Sequence, residues 1–277
     1  MPSQKTPIEL IDSHCHFDFA VFDDEREQIW QDCKDQGVTT LLIPGVYPEQ
    51  WAVSQSICKR MRGIYYAAGI HPWWIKTRKL ELQGDWREFA GKEMAIHLES
   101  KNCVAVGECG LDKVIDTDFE LQKDVFLWHL QQAEALNLPV IIHCRKAHNE
   151  ILQMLKPFPR LKGVVHAFSG SIELAEQYWS RGFRIGVGGT ITYARAQKTR
   201  QTVRQVPLEW VLLETDAPDM PISGEQGKPN TPLRLNQIAQ CLAALRVGSD
   251  SLEEFEQTLE EVARHTSNNF KALFVPA

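Results

Sequence analysis

The fold class this sequence predicts is α/β: a single (β/α)8 barrel, the TIM barrel, with eight parallel strands. Three observations predict it. Eight short apolar runs rich in β-branched residues alternate with longer segments of helical period. The chain has 277 residues, a length that one barrel of this kind fills. No linker, low-complexity stretch or composition shift divides it, so residues 1–277 read as one domain.

The runs come in order as IELID from residue 8, VTTLLIPG from 38, IYYAAGI from 64, CVAVGE from 103, LPVIIH from 138, KGVVHAF from 162, FRIGVGG from 183 and EWVLLETD from 209. Their starts lie 21 to 39 residues apart, room for one helix and two loops each. The clearest helix is Asp118–Asn137, where Phe119, Phe126, Leu130 and Ala133 fall on one face. Asp23–Gln36, Pro48–Met61, Ser171–Arg181 and Leu252–Phe274 also read as helical. Gly37, Gly163 and Gly182 stand where helix C-caps precede strands. The stretch Asp219–Thr231, rich in Pro and Gly, reads as a long loop after the eighth strand. Strands that alternate with helices call for a parallel sheet covered on both faces, and an open doubly wound sheet is the alternative to closure.

Composition excludes several classes. A net charge of −6 argues against a broad, non-specific nucleic-acid binder, though not against an enzyme with a local basic groove or with metals that hold phosphate. Seven cysteines without a CxxC pair suggest neither a disulfide framework nor a cysteine zinc site; free buried thiols in a reducing compartment are the expectation. No basic stretch followed by an apolar one opens the chain, and no apolar run is long enough for a membrane span. A cytoplasmic protein is expected.

The first strand runs into IDSHCHF, which puts His14 and His16 on one face and Cys15 on the other. Two inward imidazoles need partners: metal, water or carboxylates. Other strand ends add to the pair. The fourth run ends in GECGLD with Glu108, the fifth in IIHCR with His143, the sixth in VVHAFSG with His166 and the eighth in LLETDAP with Asp216. Each alone has a structural reading as a turn cap or satisfied core histidine. In an α/β barrel the C-terminal strand ends meet at one face, so six ligands from five strands converge there. A nitrogen and oxygen set suits zinc, manganese or magnesium. Six ligands are too many for one catalytic ion with an open position. Two divalent metal ions bridged by a carboxylate fit better, and such pairs lower the pKa of a bound water.

DSHCHFD, GIHP, VGECGLD, IIHCR, HAFSGS, GVGGTITY and ETDAPDMP, in this order, resemble the TatD family of metal-dependent deoxyribonucleases, nearest its YjjV branch, within the wider metallo-dependent amidohydrolase-like barrels. The resemblance covers almost the whole chain. It implies one metal on His14, His16, Glu108 and Asp216, and a second on Glu108, His143 and His166, with Glu108 bridging. It also implies a DNA substrate, held transiently and shortened from its 3′ end. Two loops depart from the family pattern: GIHPWW stands where GxHPH is frequent, and Pro229-Asn230-Thr231-Pro232 where many members have an RNEP-like segment. Both bear on substrate more than on metal.

Around these residues, His71 follows strand three and reads either as a phosphate or leaving-group contact or as a turn residue before Pro72. Arg145 shares a face with His143 and can pair with a phosphate oxygen or with a neighbouring carboxylate. Arg195 and Lys198 lie in an acid-free stretch after strand seven, where barrels often bind phosphate; a solvated helix face is the other reading. Trp73 and Trp74 can stack on bases or pack a loop onto the rim. Asp112 can order the ligands, and His148 lies near the mouth.

The expected reaction is phosphodiester hydrolysis by a metal-activated water, with Glu108 and Asp216 as catalytic carboxylates and Asp216 accepting the proton. No membrane and no obligate protein partner are implied. Two rivals stand beside it. One keeps the metals and hydrolyses a small-molecule ester, amide or phosphoester, since fold alone does not choose. The other is a non-enzymatic metal-binding scaffold.

Overall fold

A computed structural model describes residues 8–77, 86–248 and 251–275. Residues 1–7, on which the expectation of no leader partly rests, lie outside the described ones. Eight strands form one parallel sheet in sequence order: β1 (Leu10–Asp12), β2 (Val38–Ile43), β3 (Ile64–Ala68), β4 (Cys103–Asp112), β5 (Val140–Arg145), β6 (Gly163–Val165), β7 (Phe183–Val187) and β8 (Val211–Leu213). Backbone bonds close the ring. Ser13 N–H donates to Leu213 O at 2.9 Å, and Asp216 N–H to His14 O at 2.8 Å. The closed barrel is realised and the open sheet is not.

Ten helices among the described residues wrap it: α1 (Arg26–Asp35), α2 (Pro48–Arg60), α3 (Pro72–Thr77), α4 (Trp86–Leu98), α5 (Phe119–Leu136), α6 (His148–Met154), α7 (Ile172–Trp179), α8 (Gln197–Gln205), α9 (Leu235–Arg246) and α10 (Leu252–Phe274). The longest gap between strand runs, from 64 to 103, holds two of them, α3 and α4. The Asp118 carboxylate caps α5 by accepting the Leu121 N–H at 2.7 Å, and Asn137 in left-handed conformation ends it. Gly37 and Gly182 follow α1 and α7 at φ 88° and 83°, a conformation that favours glycine. Gly163 does not cap a helix. It opens β6, where an added Cβ would meet Val140 O at 2.1 Å, so its smallness serves strand pairing.

The core has two layers. Inside the barrel, Ile11, Leu42, Ile141, Val164 and Leu212 pack onto Phe270 and Phe274, which α10 brings across one end. Outside, strands and helices enclose a second apolar layer with Trp30, Trp51, Tyr66 and Phe126 fully buried. Cys15 lies in this outer layer, on the opposite face from its histidine neighbours. All seven cysteines are free, five of them buried. Among the described residues no helix is long and apolar enough to cross a membrane.

Candidate metal centre

Local backbone features aim the side chains at the strand ends. On β4 the register with β5 slips between Val106 and Cys109, a bulge that contains Glu108. An extra residue of this kind re-aims a side chain. Glu108 N–H donates to Gly45 O at 2.7 Å, and Gly45 N–H to Gly107 O at 3.1 Å, which ties the bulge to the chain after β2. The end of β1 is tied to β8 through Asp12, whose carboxylate accepts from Thr215 Oγ1 at 2.6 Å and from the backbone N–H groups of Thr215 and His14. The loop after β8 is pinned by the buried Asn230, whose amide donates to Thr215 O and Asp219 O, both at 2.9 Å. The segment that departs from the family pattern thus shapes the strand end carrying Asp216.

Glu108, 1% exposed, stands at the centre of the cluster. Its Oε2 lies 3.1 Å from His14 Nε2 and 3.7 Å from His16 Nε2. Its Oε1 lies 2.7 Å from His166 Nε2, 3.1 Å from His143 Nδ1 and 3.3 Å from His71 Nε2. Asp216 Oδ1 is 3.4 Å from His14 Nε2 and 3.6 Å from His16 Nε2. All six ligands expected from the strand ends therefore meet, and His71 joins them.

The two nitrogens of each ring differ in what they can do. Asp112 Oδ2 sits 3.2 Å from His143 Nε2; a proton held there leaves the Nδ1 lone pair for a cation beside Glu108 and His166. Trp73 Nε1 donates to the same Asp112 oxygen at 2.7 Å. The tryptophan thus belongs to the support of His143, which sequence reasoning missed; no local pattern joins residues 73 and 112. In His71, Nδ1 accepts the Trp73 N–H at 3.1 Å. A neutral ring of this tautomer presents Nε2–H to Glu108 at 3.3 Å.

Electrostatics follow from burial and from the shared carboxylate. Burial, with His166 nearby, lowers His14 to about 4; burial lowers His71 to about 4 as well and drives His16 well below the usual histidine range. Burial also works against the charged form of His166, but the Glu108 carboxylate overcomes it and raises His166 to about 10. Burial would raise Glu108, yet His166, His71 and His14 hold it well below the ordinary range. Burial, helped by the Glu108 charge, raises Asp216 to about 7.

The donor atoms suit divalent ions. Three sets each bring three such atoms within 4.8 Å of one another: His14, Glu108 and His166; His14, His16 and Asp216; His71, Glu108 and His143. His14 Nε2 and Glu108 Oε2 are buried with no aligned hydrogen bond despite their 3.1 Å separation. Unsatisfied lone pairs facing one point are what a cation resolves. His166 stacks on His14 with ring centroids 3.9 Å apart, so it stands near the first pair as well as beside His143.

A cavity of about 940 Å³ opens above the cluster, with His16, Glu108, His143, His166 and Asp216 in its wall. His71, Arg145, Trp73 and Trp74 also line it. Arg195 and Lys198 do not. After β7 the chain makes a 3-10 turn, Gly189–Thr192, and the basic residues come only after it. Arg195 lies 4.8 Å over the Tyr193 ring, and Lys198 sits on α8. Lys146, Cys144 and His148 line the cavity instead. Of the remaining histidines, His97 meets Tyr66, buried His129 accepts the Ile70 N–H at 3.0 Å, and His265 pairs with Glu209 at the surface.

Fold and cluster together define a (β/α)8 barrel of the metallo-dependent hydrolase type. The family model described as TatD related DNase matches residues 11–275, and the chain belongs to this family. It is 38% identical over 268 residues to the uncharacterized metal-dependent hydrolase YjjV of Escherichia coli K12, covering 96% of this chain and 97% of the relative. The crystal structure of that homologue superimposes with a TM-score of 0.84, over 97% of this chain and 99% of the other. It is also 34% identical over 234 residues to the 3'-5' ssDNA/RNA exonuclease TatD of Erwinia billingiae, covering 81% of this chain and 87% of that protein.

Proposed function

We propose that the protein is a divalent-metal-dependent hydrolase that shortens single-stranded DNA from the 3′ end by cleaving phosphodiester bonds. One observation carries this reading. The Glu108 carboxylate turns one oxygen to His14 and His16 and the other to His143 and His166. That layout suits two ions sharing a bridging carboxylate. His14, His16, Glu108 and Asp216 would hold one, and Glu108, His143 and His166 the other. Zinc, magnesium or manganese there supplies Lewis-acid stabilisation of developing charge and a more acidic water.

The chain's own groups have separate tasks. Glu108, buried and anionic, fixes the spacing of the two ligand sets. Asp216 stands at the cavity wall and accepts the proton of the attacking water. Arg145 has no carboxylate partner among the described residues and pairs with an oxygen of the scissile phosphate. His71 holds an N–H against Glu108 and keeps its carboxylate oriented.

Support for a nucleic-acid substrate is of two kinds. The relative from Erwinia billingiae is named for 3'-5' exonuclease action on ssDNA and RNA. The cavity also continues, across Phe19, Val46 and Trp74, into a groove of about 430 Å³ that includes Tyr47 and Pro218. Aromatic walls beside a phosphate site suit bases, which stack on such faces.

The test is degradation of 3′-labelled single-stranded DNA with magnesium, manganese or zinc, against EDTA and Glu108→Ala controls. Metal-dependent loss of 3′ nucleotides that vanishes in the variant is the expected result. A metal-loaded protein that leaves DNA intact but hydrolyses esters or amides would move the assignment to small molecules.

A further inference from the structure

The cavity wall carries an imidazole that the reaction above does not use. His148 opens α6 and lines the cavity. Its Nδ1 lies 2.9 Å from the Tyr178 hydroxyl and 3.2 Å from Cys144 Sγ. Tyr178 is fully buried, and burial raises both its phenol and the Cys144 thiol, the latter to about 12. Both groups keep their protons. A phenol proton directed at Nδ1 satisfies the buried hydroxyl and leaves the ring to carry its own proton at the other nitrogen. Burial, with Lys198 nearby, holds His148 below the usual histidine range, so the ring is neutral. A neutral ring that accepts at Nδ1 carries its proton at Nε2. Nε2 has no partner among the described residues. A fixed N–H donor is thus left for whatever fills the cavity.

Lys146 stands two residues earlier, beyond the end of β5, at φ 55°. It lines the same cavity, is exposed, and has no carboxylate partner among the described residues. The cleft is therefore divided. Its apolar side, Phe19, Val46 and Trp74, belongs to the loops after β1 and β2 and to α3 after β3. The cluster around Glu108 lies between. Arg145, Lys146 and His148 form the side after β5. A nucleotide chain has the matching layout, with bases on one side and a row of phosphates on the other.

We propose that His148 Nε2 and Lys146 Nζ form a second phosphate subsite, which takes the phosphate next to the scissile one. The preferred substrate then has at least two consecutive phosphates. This rests on the nuclease reading for its order of events but not for the subsite itself.

Two measurements test it on the metal-loaded protein. The first compares kcat/KM for the dinucleotide dTpdT with that for its 5′-phosphorylated form, pdTpdT. The expected preference for the second is about tenfold or more, the scale of a charge-assisted contact. His148→Ala and Lys146→Ala should each bring the ratio close to one, His148→Gln should retain part of it, and Tyr178→Phe should reduce it. A wild-type ratio of one, or variants that lower both substrates equally, overturns the proposal. The second measures binding of thymidine 3′,5′-bisphosphate, which has no phosphodiester bond, by calorimetry. His148→Ala and Lys146→Ala should weaken it about tenfold; unchanged binding overturns the subsite. Variant-sensitive binding by a protein that cleaves neither dinucleotide keeps the subsite and removes the nuclease reading.

Discussion

Asp112 Oδ2 lies 3.2 Å from His143 Nε2, and the bond decides which nitrogen of His143 faces the cluster. A proton on Nε2 directed at that carboxylate leaves Nδ1 with a lone pair for a cation beside Glu108. Asp112→Asn can no longer fix that arrangement. Metal affinity should fall about 10- to 100-fold with the fold intact. Competition against a chromophoric chelator, with circular dichroism as the check on folding, measures this. Unchanged affinity would show that the ring needs no such orientation.

His71 should behave differently from the histidines it touches. Its Nδ1 accepts a backbone N–H, so Nε2 is a donor toward Glu108. His71→Ala should keep the full complement of metal while turnover drops about tenfold or more, the cost of one lost donor to a buried charge. Loss of an ion in this variant would make His71 a ligand.

Gly186 is small because the Glu214 carboxylate lies against it. A Cβ there would stand 2.1 Å from Glu214 Oε2. Glu214 Oε1 accepts the Ala167 N–H at 2.5 Å, directly after His166. Gly186→Ala should cost about 1–3 kcal/mol, as overpacking does, and weaken metal binding by moving the end of β6. The urea midpoint and metal content of the purified variant report the two effects. A variant with wild-type values on both would show that Glu214 has room to shift.

His129 gives stability a pH dependence. Burial lowers it to about 4, while an unfolded histidine titrates near 6.5. Between these values the unfolded chain binds the proton and the folded one does not, so stability falls as pH drops from about 6.5 toward 4. The slope is about 1.4 kcal/mol per pH unit at most. His129→Gln should be less stable at pH 7 but should lack this share of the slope. Urea unfolding at pH 5.0, 6.0 and 7.0 compares them; parallel slopes would contradict the assignment.

Strand order and the convergence of ligands were legible because both depend on local pattern. Apolar runs mark strands, and a strand's last residue in a barrel lies at one known face. His14, His16, His166 and Asp216 stand just beyond such ends, whereas Glu108 and His143 lie inside β4 and β5, which run on past them. What depends on contacts distant in sequence was not legible. The bulge at Glu108 is a pairing shift between β4 and β5. The bond from Trp73 to Asp112 joins α3 to the end of β4. Tyr178 reaches His148 from another helix. Arg195 and Lys198 looked suited to the cavity from charge alone, but the 3-10 turn after β7 and the stacking of Arg195 on Tyr193 set them outside its lining.

Glu108, as proposed, joins two divalent ions. The most direct measurement is the number of divalent ions per chain, counted by native mass spectrometry after equilibration with zinc or manganese, for the wild type and Glu108→Ala. Two ions in the wild type and fewer than one in the variant is the expected result. Saturation of the wild type at a single ion, or two ions retained by Glu108→Ala, would contradict it.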